Sequence, residues 1–447
     1  MDVDAAISGQ AGHRGLRALL LGDGRDALRE LLGSMLGRDR APAACRLVRA
    51  HLKPARKLTA CYDVTLDGTG STTPVAVTWF RGGTVADADS LDAAEEELRR
   101  ASLPTGFARL WATRPSWGMQ VLAAPLDPAF PDLGDLSHPR RAGEVLSRCG
   151  VLPAVPEGGV EVRPIRYRPG QRHVLEYRPD RGPSLFVKLY RPGAGGSVAG
   201  AVGTLFDLLE AAAVPRVRAV HPTAVLGGGD ALLYLCAPGA PLSQRLRAGR
   251  PPAPGHLHHV GLLLRAIHSS VPGPGSVLPR RDLEGEARVV LRACEAMTAL
   301  RPDLGAAASR IVEQACAGLV ALEQEPATVV HGDMKADHML WGPQGLTVLD
   351  TDRCAFADPA FDLGKMLADV RWWTAATPRA DAAAVEAEIL AGYGAAGPRL
   401  ARAQLYAALL LVRMAARRVP LASRDWASRT GGLLALAGRA VEVRTAA

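Results

Sequence analysis

The chain has 447 residues, 48% hydrophobic and 22% charged, which suits two or three domain-sized globular units and excludes wholesale disorder. No apolar run reaches the roughly 20 residues a bilayer crossing needs, no basic segment precedes a cleavage site, and the seven scattered cysteines form no CxxC pair. These features point to a cytoplasmic protein with free thiols and no membrane partner, while a net charge of +8 from dispersed arginines, with only 5% aromatics, argues against a nucleic-acid partner.

Residues 1–45 predict one or two helices, about Gly15 to Leu21 and Arg25 to Leu36, with Leu28, Leu31, Leu32, Met35 and Leu36 at helical spacing. An internal repeat follows. Leu52-Lys53-Pro54-Ala55-Arg56-Lys57 with Tyr62 matches Tyr167-Arg168-Pro169-Gly170-Gln171-Arg172 with Tyr177 at an offset of 115. Val75 to Arg81 then matches Leu185 to Arg191 at an offset of 110, which puts five extra residues into a turn of the first copy at 67–71. Each copy goes on to a helix (Asp92 to Arg100; Val202 to Ala213), a proline (Pro104; Pro215) and an apolar strand (Met119 to Ala123; Leu232 to Cys236).

Lys188 stands inside the apolar strand of the second copy, where its ammonium requires an anion; the first copy has Thr78 there. Arg168 and Arg172 flank a single glycine, and they either contact phosphate as planar forks or merely solvate the hairpin. After the turn residues Pro238-Gly239-Ala240-Pro241 and the loop prolines Pro251, Pro252 and Pro254, helical patterns dominate, interrupted by one acidic strand-loop segment.

That segment is Val329-Val330-His331-Gly332-Asp333-Met334-Lys335-Ala336-Asp337-His338, followed by Val348-Leu349-Asp350-Thr351-Asp352. The apolar runs predict two short buried strands side by side whose ends present the two acidic clusters. Carboxylates so placed fit a hard divalent ion, whose remaining ligands are usually phosphate oxygens, together with a general base.

With Asp358-Pro359-Ala360-Phe361-Asp362-Leu363, these residues resemble the aminoglycoside-phosphotransferase and choline-kinase-like branch of the protein-kinase fold. The family pattern is HGDxxxxN, an aspartate ending a hydrophobic strand, then DPxxDL. The departure is His338, which stands at the position of the family's metal-binding Asn. The resemblance, with the repeat, implies an α+β bilobal protein-kinase-like fold with a tandem-duplicated small lobe and a mostly helical large lobe. The expected division is a helical cap at 1–45, a degenerate first small lobe at 46–150, a nucleotide-binding small lobe at 151–240 and a catalytic, acceptor-binding large lobe at 241–447.

The same resemblance implies an ATP-dependent phosphotransferase acting on a hydroxyl of a small polar molecule, with Mg2+ or Mn2+. Asp333 becomes the catalytic base and Asp350 the metal ligand. Lys335 reaches the transferred phosphate or faces solvent, and Asp352 is a second ligand or a solvated acid. Lys188 meets the nucleotide phosphates, held by a helix carboxylate such as Asp207 or Glu210. Tyr234 and Cys236 lie in the adenine-binding hinge, and Asp362 braces the catalytic loop. For His338 three readings stand: the ion is held by Asp350 with Asp337 or Asp352; the imidazole hydrogen-bonds the loop in place of Asn; or transfer is lost, leaving a pseudokinase-like nucleotide-binding or scaffold protein. The first copy, without its lysine, is expected to bind no ATP and to serve as scaffold, cap or substrate wall. The basic charge disfavours polycationic acceptors, and the seven residues between Asp350 and Asp358 leave no room for a protein kinase's activation segment.

Overall fold

Asp2 caps the first helix, its carboxylate accepting the Ala5 amide at 2.9 Å. Three helices open the chain, α1 (Val3–Ser8), α2 (Gly12–Leu21) and α3 (Asp23–Leu36), where the sequence predicts one or two. Their apolar stripes, including Leu16, Leu20, Leu28 and Leu32, are buried against a first sheet built from β1 (Pro42–Lys53), β2 (Lys57–Leu66), β3 (Thr72–Phe80), β4 (Trp111–Arg114) and β5 (Met119–Ala123), with α4 (Ala88–Arg100) after β3. Strand β2 alternates strictly, burying Leu58, Ala60, Tyr62, Val64 and Leu66 on one face. The structure, a computed structural model, describes residues 2–37, 41–66, 72–83, 88–103, 105–250, 253, 255–272, 278–375, 377, 381–394 and 397–445. The expected insertion at 67–71 and Pro104, Pro251, Pro252 and Pro254 lie outside these residues.

Helices α5 (Leu133–Ser137) and α6 (Pro139–Arg148) lead to a second sheet of β6 (Glu161–Arg166), β7 (His173–Arg178), β8 (Leu185–Leu189), β10 (Ala224–Leu226) and β11 (Ala231–Leu235). Between β8 and β10 come α7 (Gly195–Ala212) and β9 (Val217–Ala219). The first sheet runs in the order β1-β2-β3-β5-β4 and the second in the order β6-β7-β8-β11-β10, the same connectivity in both. The repeated tyrosines also behave alike. Tyr62 donates its hydroxyl to the Leu20 carbonyl at 2.9 Å, and Tyr177 to the Leu136 carbonyl at 2.6 Å, each about forty residues back on a preceding helix. Helices α5 and α6, which the expected division at residue 150 assigns to the first lobe, pack on the second sheet, where Leu133, Leu136 and Leu146 share a core with Tyr177, Leu185 and Val187.

The large lobe begins with β12 (Ala240–Pro241) and α8 (Leu242–Arg247), then α9 (His256–Ser269), α10 (Leu283–Leu300) and α11 (Pro302–Ala321). Short strands follow, β13 (Thr328–Val330), β14 (Met339–Gly342), β15 (Gly345–Val348) and β16 (Ala355–Ala357), and then α12 (Ala360–Ala375), α13 (Ala382–Tyr393), α14 (Gly397–Arg418) and α15 (Trp426–Thr445). The expectation that the two acidic clusters end neighbouring paired strands is corrected here. Strand β13 pairs with β16, whereas β15 pairs with β14 and, in parallel, with β9. What unites the clusters is loop-to-loop hydrogen bonding: the Leu349 amide donates to the His338 carbonyl at 2.8 Å, and His331 Nε2 lies 3.0 Å from the Leu349 carbonyl. Among the described residues no helix is long and apolar enough to cross a membrane.

Candidate active site

Gly332, at φ +78°, turns the chain out of β13 in the left-handed region, and a Cβ there would run into the Arg353 carbonyl. The loop is then held from below by α12. Fully buried Asp362 accepts the His331 amide at 2.5 Å and the Gly332 amide at 2.9 Å, and buried Asp369 accepts the Ala336 amide at 2.8 Å. Asp362, Lys365 and Asp369 are spaced three and four apart, so one face of a buried helix presents three charges to one loop. Lys365 and Asp369 belong to no linear motif, and their signal in the sequence is charge at this spacing within a largely apolar helix.

Asp362→Ala would orphan two buried amides at roughly 1–3 kcal/mol each, so a loss of about 3 kcal/mol is expected. It would be read as a lower denaturation midpoint in urea. A midpoint unchanged from wild type would refute the brace.

Asp333 emerges from this loop between two ammonium groups, Lys335 at 3.1 Å and Lys365 at 3.5 Å. Burial pushes its carboxyl up, but Lys365, Lys335 and His338 together outweigh burial and hold it well below the usual carboxylate range. Of the two readings for Lys335, the geometry favours the inward one, since its ammonium faces the base. Lys365 is itself buried, which pulls its amine down to about 8 despite the neighbouring Asp333.

On the other side, Asp350 takes a left-handed conformation, φ +58°, unusual for a side-chain-bearing residue and typical of functional loops. Lys188 reaches from β8 to Asp350 Oδ1 at 2.7 Å and Asp352 Oδ1 at 3.1 Å. The expected helix carboxylate is therefore replaced: the anions holding Lys188 come from the Asp350 loop, and neither Asp207 nor Glu210 pairs with it. Asp352 also accepts from the Tyr190 hydroxyl at 2.7 Å and Arg172 at 3.1 Å. Asp352 is therefore held by three donors and is not a solvated acid. Asp337 is likewise engaged, with the Ser243 hydroxyl at 2.5 Å.

The donor atoms of Asp333, His338 and Asp350 lie within 4.8 Å of one another. His338 Nδ1 is 3.1 Å from the Asp333 carbonyl, and Nε2 is 3.0 Å from Asp350 Oδ2. Burial pulls the imidazole below its ordinary range despite the Asp350 contact, favouring the neutral ring. A neutral ring carries one proton for two facing acceptors; with that proton on Nδ1, donated to the carbonyl, Nε2 turns a lone pair toward a carboxylate oxygen. Two acceptors facing each other repel unless a cation joins them, and a metal-binding histidine typically donates its other N–H to a backbone carbonyl. The donor set therefore fits a divalent cation, to which His338 would offer Nε2 while Nδ1 keeps the loop hydrogen bond.

Two cavities meet at this cluster. The first, about 400 Å³, is lined by Val174, Phe186, Val220, Leu340 and Leu349 above Lys188, His338, Asp350 and Asp352. Tyr234 stands at its edge with its ring 5.2 Å from the Lys188 ammonium. Cys236 lines it too, with its amide donating to the Ser184 carbonyl at 2.9 Å. Arg172 faces this cavity, and Arg166 does so in place of Arg168. Arg168 turns instead into the second cavity, about 390 Å³, which Asp333, Lys335 and Lys365 share. Strand β6 ends at Arg166, and Arg168 lies in the turn beyond it, where strand alternation no longer sets which side a residue faces.

A family model described as the phosphotransferase enzyme family (APH) matches residues 171–405, more than half of the chain. The chain belongs to that family. Membership makes it a small-molecule phosphotransferase in kind, and the matched span holds every residue of the cluster. No curated protein matches it in sequence. Solved structures similar to it include a choline/ethanolamine kinase family protein from Mesorhizobium loti, at 18% identity over 67% of this chain and 95% of that one, TM-score 0.45. Others are a spectinomycin phosphotransferase in complex with ADP and spectinomycin (14% identity, 68% and 96%, TM-score 0.46) and an aminoglycoside phosphotransferase from Streptomyces rimosus (20% identity, 56% and 92%, TM-score 0.39).

Proposed function

We propose that this phosphotransferase moves the γ-phosphoryl group of ATP to a hydroxyl of a small polar molecule. The observation that carries the reading is the junction of the two cavities, where the donor atoms of Asp333, His338 and Asp350 converge within 4.8 Å and Lys188 stands 2.7 Å from Asp350. The apolar slot beneath Phe186 takes the base, and Lys188 and Arg172 take the phosphates. Asp333 orients the acceptor hydroxyl and receives its proton as the oxygen bonds to the γ-phosphorus and the bond to the β–γ bridging oxygen breaks, releasing ADP. Lys335 and Lys365 offset negative charge gathering on the transferred group. Asp350 and His338 would hold a divalent cation, which supplies charge neutralisation at the phosphates. On this reading the first small lobe, with Thr78 in place of the lysine, binds no nucleotide and walls the acceptor side.

The test is thermal stabilisation by ATP with Mg2+ or Mn2+. At a ligand concentration a hundred times Kd the gain is about 2.7 kcal/mol. An imidazole in the donor set favours the transition metal, so Mn2+ is expected to support tighter ATP binding than Mg2+, and His338→Asn to narrow the difference. Lys188→Ala should weaken both. Identical melting of wild type with and without every metal–nucleotide pair would overturn the assignment.

A further inference from the structure

The second cavity is basic to an unusual degree. Seven arginines and lysines line it against one carboxylate, Asp333. Lys335 and Lys365 pair with that carboxylate, Arg418 pairs with Asp369 at 2.6 Å, and Arg413 lies 3.9 Å from Glu286. Three guanidiniums remain, Arg49, Arg168 and Arg417, and among the described residues none forms an ion pair with a carboxylate, Glu295 acting on Arg417 only from farther off. Arg168 Nε is in addition buried without any hydrogen-bond partner.

Like charges converging in a half-buried cleft repel, and a buried donor left unpaired costs free energy. Burial, with Arg49, Arg166 and Arg172 adding to it, brings the Arg168 guanidinium down to about 9. Such crowding is relieved by an anion, and the cations come from three separate parts of the fold: Arg49 from β1 of the first sheet, Arg168 from the hairpin of the second, Arg417 from α14. His51, also on β1, touches Arg417 at 3.3 Å, so the first sheet closes the cavity onto the large lobe.

We infer that the acceptor of this phosphotransferase is an anionic hydroxyl compound, bearing a phosphate or carboxylate group that Arg49, Arg168 and Arg417 hold while its hydroxyl faces Asp333. The inference rests on the phosphotransferase reading for the hydroxyl's fate, but the anion site itself does not depend on nucleotide. It also gives the first small lobe a task, since that lobe supplies Arg49.

The experiment measures binding to the full chain without nucleotide, by calorimetry and thermal shift, using glucose 6-phosphate, gluconate, glucose and kanamycin as probes. The expected result is that glucose 6-phosphate or gluconate binds while glucose and kanamycin do not, and the two anions tell a phosphate preference from a carboxylate one. Binding should weaken at least tenfold in Arg49→Glu, whose side chain is exposed at a strand surface so that folding is retained, and should weaken again at high ionic strength. Arg181→Glu, an equal charge change outside the cavity, should leave binding unchanged. Failure of both anions to bind, kanamycin binding as tightly as they do, or equal effects of Arg49→Glu and Arg181→Glu would each overturn the proposal. ATP stabilisation measured on the same samples keeps the two readings apart. Anion binding without it removes the ATP-dependent reading and leaves the anion site standing, and the reverse result removes the anion site alone.

Discussion

Asp333→Asn is expected to lower kcat by about 10²–10⁴-fold, the range a positioned acid–base group contributes, while the dissociation constant for ATP stays close to wild type. The substitution keeps the side-chain shape, and the loop is held elsewhere, by Asp362 beneath Gly332 and Asp369 beneath Ala336. What it removes is the anion that Lys335 and Lys365 share and, in the proposed mechanism, the oxygen that takes the acceptor's proton. Because those cations outweigh burial and hold the carboxyl well below its usual range, Asp333 is ionised throughout the neutral region, and any loss of activity on the acid side of neutrality belongs to another group. Steady-state kinetics at saturating acceptor reads kcat, and calorimetric titration with ATP reads the dissociation constant. A kcat within about threefold of wild type would remove Asp333 from the reaction, since that is far below what general-base catalysis supplies.

Asp350→Asn is expected to abolish metal-dependent stabilisation by ATP and to reduce turnover by about 10³-fold or more, since a lost Lewis-acid contact is worth several kcal/mol. The fold should survive. Asparagine is the residue that best tolerates φ near +58° after glycine, and Lys188 keeps Asp352 as a partner at 3.1 Å. The new amide can also donate to His338 Nε2, replacing two facing acceptors with a hydrogen bond. Differential scanning calorimetry with and without ATP and Mn2+ reads the fold's stability and the ligand's stabilisation, and a phosphate-transfer assay reads the turnover. Retained stabilisation by the metal–nucleotide pair would mean the cation sits elsewhere.

The linear motifs carried much of this site. His331-Gly332-Asp333, Leu349-Asp350 and the Asp358 to Leu363 turn were legible because each is a short run whose local conformation demands its residues: a glycine at positive φ, a carboxylate at a helix start, an apolar run ending in acids. Lys188 was legible as a charge inside an apolar strand. The repeat was legible as spacing, and the two sheets share one strand order, with Tyr62 and Tyr177 anchored alike.

What escaped the sequence was pairing over distance. Lys188 called for an anion, and its partners Asp350 and Asp352 lie 162 and 164 residues away, where no periodicity reaches. The same holds for the hairpin, where Arg166 at the end of β6 lines one cavity and Arg168 in the turn beyond it lines the other. A net charge of +8 says nothing about where the charges gather. Local sequence determined the catalytic loops, the helices and the small-lobe strands, because hydrogen bonds and side-chain alternation act within a few residues. Only the tertiary structure decided that Arg49 of the first sheet, Arg168 of the second and Arg417 of the large lobe would face one cavity beside Asp333, because electrostatic fields are set by distance in space and the packing of the lobes alone sets those distances.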